Sequence, residues 1–350
     1  MPTLLHHGRA ALLLMAAVSC SSETEVARRP HRAPQEVYAQ GADVDAGSDS
    51  DADVSLERTD LLAASRRAEL VGAGFSLTEG PVWDPCGKRL LFTDVNAELI
   101  LQLRGARDIS VYRERSNFAN GLAFDRDGAL LAAEMGGGRG GRITRTDRAG
   151  RVELLIDRTP FGFPLNTTDD LALRSDGTLY FSDPTIPHGA YLGIPLGTER
   201  LYRLTGQSPR TLVAEDETFL PNGVDLSPDE NTLYAVGYLL GEVLSFRVAQ
   251  DGALSEPQVF TAGLNAPDSM CLDVAGNLYI GTREGLAVVR PNGTSPGTIL
   301  LPTAAGVTNC AFGGDEGKTL FVTAWDTVWR IPGMPIVGLD WQRNRSIACE

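Results

Sequence analysis

The stretch from Asp169 to Asp183 reads DDLALRSDGTLYFSD, and its pattern decides the fold. Two short apolar runs flank a polar turn with Asp176-Gly177, a combination typical of a β-hairpin. Related copies begin 41, 49, 53, 46 and 40 residues apart, at Glu79, Asn120, Asp169, Asn222, Asp268 and Thr308. Intervals of about 40–50 residues suit one four-stranded blade per copy. The sequence therefore predicts an all-β fold, a six-bladed β-propeller.

The composition limits the partners that the chain can bind. The sequence has 350 residues and a formal net charge of −14. A phosphate backbone would be repelled by this charge, so we expect no nucleic-acid partner. Small anionic substrates can bind only where a cation or an arginine reverses the local field.

The N-terminus has the features of a secretory signal. His6, His7 and Arg9 precede an apolar run from Ala10 to Val18, which is too short to span a bilayer. The following Ser19-Cys20 resembles the end of a bacterial lipobox, in which the cysteine is lipidated. We therefore predict a lipoprotein-type signal peptide at 1–20 and a location in the bacterial cell envelope or periplasm. The membrane would be reached only through a lipid anchor at Cys20. The alternative is ordinary cleavage and secretion.

The remaining chain divides by composition. Residues 21–66 contain alternating aspartates among serine, alanine and glycine, and we interpret them as a disordered acidic linker. Residues 67–341 hold the six repeats and form the predicted propeller, with an outer strand near Glu69 to Phe75 closing the ring. Residues 342–350 are interpreted as a C-terminal tail.

The first residues of the six repeats predict a cation site. Equivalent positions in successive blades lie at equivalent places around the axis, so these six side chains should form a ring at one end of the central channel. We call them the axial ring: Glu79, Asn120, Asp169, Asn222, Asp268 and Thr308. Every one offers an oxygen atom. Carboxylate and amide oxygens are ligands that favour Ca²⁺ as the bound ion, with Mg²⁺, Mn²⁺ or Zn²⁺ as alternatives.

The same segments resemble a known family. The motifs at Glu79-Gly-Pro-Val-Trp, Pro221-Asn222-Gly, Pro267-Asp268-Ser-Met and Thr308-Asn-Cys-Ala-Phe are similar to those of the senescence marker protein, gluconolactonase and luciferin-regenerating enzyme family. The resemblance implies a six-bladed propeller that binds a divalent cation at its axis and hydrolyses lactones or related esters. The gluconolactonase-like branch is the nearest in pattern.

The resemblance also implies roles for individual residues. Glu79, Asn222 and Asp268 match metal ligands, and Asp169 stands where many members have an asparagine that binds metal or substrate. Asn120 matches an axial asparagine of the gluconolactonase-like branch. Three departures from the family pattern are Asp169 itself, Ser269 in place of glycine, and Met135 where a histidine is frequent.

These observations lead to a hypothesis for the chemistry. We expect a calcium-dependent lactonase or esterase in which the cation polarises the carbonyl of a small-molecule lactone or ester. The metal ligands would be Glu79, Asp169, Asn222 and Asp268. Asp268 is the first candidate for the carboxylate that takes a proton from water, and Asp169 the second. Asn120, His188 and Asn309 are assigned to substrate binding.

Two alternatives remain open at this point, and so does the pairing of the cysteines. The same scaffold would suit phosphoester hydrolysis, or a non-catalytic binding module in which the cation is structural. Cys86 and Cys349 could pair, since closure of the ring brings the chain ends together. Cys271 and Cys310 are interpreted as small core residues.

Overall fold

The structure is a computed structural model, and it describes residues 56–160, 162–185, 199–205, 208–211 and 220–349. The signal peptide with Cys20, most of the acidic linker and His188 lie outside the described residues. Within them, the strands form six four-stranded antiparallel sheets. The six-bladed β-propeller expected from the repeats is therefore confirmed.

Each blade runs from an innermost to an outermost strand, and the chain passes through the blades in order. Blade 1 contains β2 (Thr78–Asp84), β3 (Arg89–Asp94), β4 (Leu99–Arg104) and β5 (Asp108–Glu114). Blade 2 contains β6 (Ala119–Phe124), β7 (Leu130–Glu134), β8 (Arg142–Thr146) and β9 (Val152–Ile156). Blade 3 contains β10 (Leu171–Leu173), β11 (Leu179–Asp183), β12 (Arg200–Thr205) and β13 (Ser208–Thr211).

The second half of the propeller repeats this arrangement. Blade 4 contains β14 (Pro221–Leu226), β15 (Thr232–Gly237), β16 (Glu242–Arg247) and β17 (Gln258–Ala262). Blade 5 contains β18 (Met270–Leu272), β19 (Leu278–Thr282), β20 (Gly285–Val289) and β21 (Gly297–Ile299). Blade 6 contains β22 (Asn309–Gly313), β23 (Thr319–Ala324), β24 (Thr327–Ile331) and, from the other end of the domain, β1 (Glu69–Ala73).

The ring closes through strand β1, as the sequence predicts. β1 pairs antiparallel with β24 as the outermost strand of blade 6, with Glu69 opposite Arg330. The Arg330 guanidinium adds an ion pair to the Glu69 carboxylate at 2.7 Å. Closing the sheet with a strand from the other chain end means that the first and last blades cannot separate without breaking this ladder.

The linker assignment is wrong at its C-terminal end. A helix, α1, spans Arg58–Arg66, and its Leu61 and Ala64 are buried in the core between blades 5 and 6. It packs against β21, the short outermost strand of blade 5. The apolar positions three residues apart form one helix face, and burying that face stabilises a segment whose composition resembles a linker.

The segment predicted as a C-terminal tail, residues 342–350, begins inside a helix. A second helix, α2, spans Leu339–Asn344 and contacts blades 1, 5 and 6. Arg343 donates to the carbonyls of Leu226 (3.2 Å) and Ser227 (3.1 Å) at the lower end of blade 4. Helix α2 therefore covers the end of the channel opposite the axial ring.

The four cysteines of the described region form two disulfides. Cys86 pairs with Cys349, with Cα atoms 5.2 Å apart, so this pairing is confirmed. Cys271 pairs with Cys310, with Cα atoms 5.6 Å apart, and links the innermost strands of blades 5 and 6. Both cysteines lie in the core, as predicted, but the bond between them was not part of the prediction.

The core consists of clusters between neighbouring blades rather than one central mass. Large aromatic side chains such as Tyr180, Tyr202, Tyr279 and Phe312 are fully buried between sheets. In the described part of the chain, neither helix has the length and apolar character that a bilayer crossing requires. The packing between blades leaves the central channel to polar residues, and these form the candidate site.

Candidate active site at the propeller axis

The axial ring is positioned by irregularities in the innermost strands. The ladders between first and second strands shift register between Glu79 and Val82, between Ala119 and Leu122, and between Pro221 and Val224. In blades 3 and 5 the ladder starts only after the ring residue. Bulges of this kind re-aim a side chain out of the sheet. The ring residues are therefore released from the strand pattern at one end of the channel.

The glycines after the ring residues let neighbouring blades approach closely. Gly80 has φ of +47°, and a Cβ atom there would lie 2.0 Å from the carbonyl oxygen of Asn120. Gly121 donates its N–H to the Asp169 carbonyl at 2.8 Å, and Gly223 does the same to the Asp268 carbonyl at 3.1 Å. A side chain at these positions would push the strands apart, so glycine keeps the ring narrow.

Three carboxyl groups of the ring, those of Glu79, Asp169 and Asp268, lie within electrostatic range of one another. Burial raises the pKa of Glu79 well above its usual range, and the charges of Asp268 and Asp169 raise it further. The pKa of Asp169 is raised for the same reasons, first by burial and then by Asp268. Burial is the larger cause for both groups, and the repulsion between neighbouring carboxylates adds to it.

Asp268 differs from its neighbours because it lies partly exposed at the channel mouth. Withdrawal of its carboxylate from water raises its pKa to about 7, with the Asp170 charge adding to the effect. A hydrogen bond from the Asn222 side chain acts in the opposite direction. A carboxyl group with a pKa near neutrality can both take and return a proton at physiological pH.

Two oxygens of this group have no protein partner. Asp169 Oδ2 and Asn222 Oδ1 are buried side-chain atoms without a hydrogen bond in the structure. Buried polar atoms are almost always satisfied, so such a pair points to a cation or an ordered ligand. Within the described ranges, no three or more His, Cys, Asp or Glu side chains are grouped to hold a metal ion. A cation site here therefore has to include an amide oxygen, and Asn222 offers one.

Asn120 lies beside the residue that departs from the family pattern. Its Nδ2 atom is 3.9 Å from the sulfur of Met135, a weak hydrogen bond. Met135 is only 3% exposed and packs in an apolar cluster with Leu77 and Val95. A thioether in this position fills space and orients the Asn120 amide, but it carries no proton.

The remaining residues predicted for the site, Thr308, Asn309 and His188, are not among the groups described above. The Thr308 hydroxyl donates to the Thr78 carbonyl at 2.7 Å, which joins blade 6 to blade 1, and bonds to the Thr323 hydroxyl within blade 6 at 2.9 Å. Asn309 lines the channel below the ring, and its Oδ1 accepts the N–H of Cys310 at 2.7 Å. His188 lies outside the described residues.

Asp170 is a site residue that the sequence interpretation missed. Its Oδ2 accepts hydrogen bonds from the Ser269 hydroxyl at 2.6 Å and from the Val224 N–H at 3.1 Å. One carboxylate thus ties blades 3, 4 and 5 directly beneath the ring. Ser269, the departure from a usual glycine, is explained as its partner. The signal was present, because blades 1, 2 and 4 have glycine at the position of Asp170.

Below the ring the channel contains a cavity of about 400 Å³. Its lining runs from Gly80 and Asn309 near the ring to Asp340 and Arg343 of helix α2. Since α2 covers the lower end, the end at the axial ring is where a substrate meets the carboxylates. The arrangement can bind a cation on oxygen ligands, orient a polar ligand with amides, and accept a proton near neutral pH.

The fold and this site define a class: six-bladed propellers with an oxygen-lined axial site. Residues 77–326 match the model of the SMP-30/gluconolactonase/LRE-like region, and the chain belongs to this family. The recognition made from the motifs is thereby confirmed.

Three relatives show where the chain lies within the family. It is 32% identical over 265 residues to pentonolactonase XacC of Haloferax volcanii, which covers 73% of this chain and 83% of the relative. It is 26% identical over 307 residues to a gluconolactonase of Zymomonas mobilis, covering 77% and 82%. A solved gluconolactonase of Xanthomonas campestris superposes with a TM-score of 0.68 at 30% identity, covering 76% of this chain and 88% of that one. These relatives support lactone hydrolysis and give no support to the phosphoester or non-catalytic alternatives.

Proposed function

We propose that this protein is a metal-dependent lactonase that opens a sugar-acid lactone at the propeller axis. The observation that carries the proposal is the convergence of Glu79, Asp169, Asn222 and Asp268, with two buried oxygens left without a protein partner. The gluconolactonase and pentonolactonase relatives support the substrate class. The donor set is all oxygen, which favours Ca²⁺ over softer ions.

The donor groups present have the chemistry that a hard cation requires, and two of their buried oxygens have no protein partner. Glu79, Asn222 and Asp268 would hold it, and the Asp169 carboxylate would complete the donor set. A bound Ca²⁺ supplies positive charge that polarises the lactone carbonyl and offsets the repulsion among the carboxylates. The orphan Asn222 oxygen would gain a partner, which removes the cost of its burial.

The remaining chemistry belongs to the side chains. Asp268 takes a proton from the attacking water, because its pKa of about 7 makes it a base near neutral pH. Asn120, held against Met135, donates its amide hydrogens to the polar groups of the lactone. The water oxygen bonds to the carbonyl carbon, the ring C–O bond breaks, and Asp268 returns the proton to the released alkoxide. The product is an open-chain hydroxy acid.

A titration assay on a lactone panel tests this function. Acid release from glucono- and pentonolactones should be measured with Ca²⁺, with EDTA, and after Ca²⁺ is restored. We expect turnover with Ca²⁺, its loss on chelation, and its recovery on adding the ion back; Mg²⁺, Mn²⁺ and Zn²⁺ serve as comparisons. Turnover that persists in EDTA contradicts the metal dependence. No turnover on any lactone under any condition contradicts the lactonase assignment.

We further propose that the protein acts in the bacterial envelope, anchored by a lipid at Cys20. The two disulfides among the described residues support this location, because such bonds persist in oxidising compartments. Fractionation of cells that express the full chain should find the wild type with membranes. Cys20→Ser should move most of it to the soluble fraction. An unchanged membrane fraction in Cys20→Ser, or a soluble wild type, would argue for ordinary cleavage and secretion.

A further inference from the structure

Each blade has one equivalent residue at the end of its second strand, the end nearest the axial ring. These residues directly follow the second strand of their blades, at the end of the propeller where the axial ring lies. We call them the upper ring: Val95, Met135, Pro184, Tyr238, Arg283 and Trp325. The three from blades 1 to 3 are buried, whereas the three from blades 4 to 6 are exposed to solvent.

The three exposed residues of the upper ring are all large and carry groups that can contact a ligand. It presents a phenol, a guanidinium and an indole from consecutive blades, and Tyr238 and Trp325 are 36% and 48% exposed. Trp325 has φ of +51°, a left-handed backbone that bulky residues seldom adopt. Large aromatic groups kept at a surface, rather than in the core, are typical of ligand-contact positions.

Tyr238 and Arg283 are held directly above two residues of the axial ring. The Tyr238 N–H donates to the carbonyl of Leu220 at 3.2 Å, two residues before Asn222. The Arg283 N–H donates to the carbonyl of Asn265 at 3.1 Å, three residues before Asp268. The Tyr238 phenol lies within electrostatic range of both the Asp268 carboxylate and the Arg283 guanidinium. The three groups are therefore neighbours at the mouth.

The Arg283 side chain has no bonded partner in the part of the chain that the structure describes. Within the described ranges its guanidinium makes no hydrogen bond or ion pair, although Glu284 is the next residue. The Glu284 carboxylate is instead held by a hydrogen bond from the Asn265 side chain. Arg113 of blade 1 and Arg142 of blade 2 behave differently, since both are bound to the buried Glu134. Arg283 is thus free to meet a ligand.

This free cation faces a site that would otherwise reject anions. The axial ring gathers Glu79, Asp169 and Asp268, and the whole chain carries a net charge of −14. An anionic substrate can enter only if a local positive charge reverses the field. Arg283 is joined through its main chain to the segment that leads to Asp268, and its guanidinium and the Asp268 carboxylate are both within electrostatic range of the Tyr238 phenol. From there it can meet the part of a substrate that points away from the reacting carbonyl.

We propose that Tyr238, Arg283 and Trp325 form a specificity subsite for a negatively charged group, so that the preferred substrates are lactones bearing a free carboxylate. The inference rests on the proposed lactonase function and narrows its substrate class. Arg283 pairs with the carboxylate, as guanidinium groups do with planar anions. Tyr238 donates its hydroxyl hydrogen to the same group, and the two aromatic rings cover the carbon chain.

Two lactones that differ only in this group provide the test. The γ-lactones of D-glucaric and D-gluconic acid share a ring, but one ends in a carboxylate and the other in a hydroxymethyl group. We expect wild-type kcat/KM to be higher for the glucaric lactone. Arg283→Gln should lower the ratio of the two kcat/KM values roughly tenfold, the effect of one charged hydrogen bond. Arg283→Lys should keep part of the preference, and added salt should weaken it in the wild type.

A matched control and a binding readout make the result decisive. Arg247→Gln removes an exposed guanidinium at the opposite end of blade 4 and should leave the ratio unchanged. Calorimetry with D-glucarate and D-gluconate tests the subsite without turnover, and Arg283→Gln should weaken glucarate binding roughly tenfold. An unchanged ratio and unchanged glucarate affinity in Arg283→Gln overturn the subsite. A wild type that binds glucarate through Arg283 but hydrolyses neither lactone overturns the lactonase function alone.

Discussion

Asp268→Asn should lower the kcat of lactone hydrolysis by about 10²–10⁴-fold, the usual contribution of a positioned general base. The pKa of Asp268 is raised to about 7, chiefly by burial, so the wild-type carboxylate titrates near neutrality. An asparagine has similar size and keeps one oxygen for the cation, but it cannot accept the proton of the attacking water. Steady-state kinetics on a gluconolactone in saturating Ca²⁺ measure the loss.

The control is a carboxylate at the same end of the propeller without a place in the axial ring. Asp326 is exposed in the turn between β23 and β24, and its main-chain carbonyl accepts the N–H groups of Gly74 and Phe75. Asp326→Asn should therefore keep wild-type kcat. Calorimetric Ca²⁺ titration of Asp268→Asn separates lost proton transfer from lost metal. Wild-type kcat in Asp268→Asn, with Ca²⁺ bound, would remove Asp268 from the role of base and leave Asp169 as the candidate.

The propeller could be predicted because the sequence pattern of one blade occurs six times. Each blade encodes its own hairpins, and six copies at blade-length intervals restrict the chain to a ring. The ring in turn predicts the site, since Glu79, Asn222 and Asp268 begin equivalent strands. Their convergence follows from symmetry and does not require knowledge of any individual contact.

Three features that the repeat does not encode were not predicted. Helix α1 depends on two apolar residues, Leu61 and Ala64, that fill a groove between blades 5 and 6. The Cys271–Cys310 disulfide depends on the angle between neighbouring strands, which a one-dimensional pattern does not contain. Asp170 was overlooked for the same reason: its partners Val224 and Ser269 are far away in sequence and belong to other blades.

The upper ring shows a second limit of prediction from the repeats. Its six members occupy one equivalent position, yet only three of them are exposed. Exposure depends on the loops packed around each blade end, so the alignment of repeats identifies the position but not its use. The departure at Met135 is explained in this way, since it belongs to the buried half and packs against Asn120.

Glu79→Gln should have opposite effects on the metal-free and the Ca²⁺-bound protein. Burial and the charges of Asp268 and Asp169 raise the pKa of Glu79, so its charged form opposes folding when no cation is present. A carboxyl group with a raised folded-state pKa contributes stability below its unfolded pKa and loses it as the pH rises through the folded value. Glutamine does not ionise, so the variant does not lose this stability as the pH rises. In EDTA at alkaline pH, the variant should thus be as stable as the wild type or more stable.

With Ca²⁺ bound, the wild type should be the more stable of the two proteins, because only the wild type keeps the Glu79 carboxylate as a charged ligand. At a free Ca²⁺ concentration of 100 times Kd, binding adds about 2.7 kcal/mol to the free energy of unfolding, and Glu79→Gln should lose most of this gain. Denaturant unfolding in EDTA measures the stability of the metal-free protein, and unfolding in Ca²⁺ measures the gain from the bound ion. Glu153→Gln, an exposed glutamate on the outer strand of blade 2, should follow the wild type in both conditions. A Glu79→Gln variant that is destabilised in EDTA, or stabilised by Ca²⁺ as fully as the wild type, would mean that Glu79 supports the fold and not the cation.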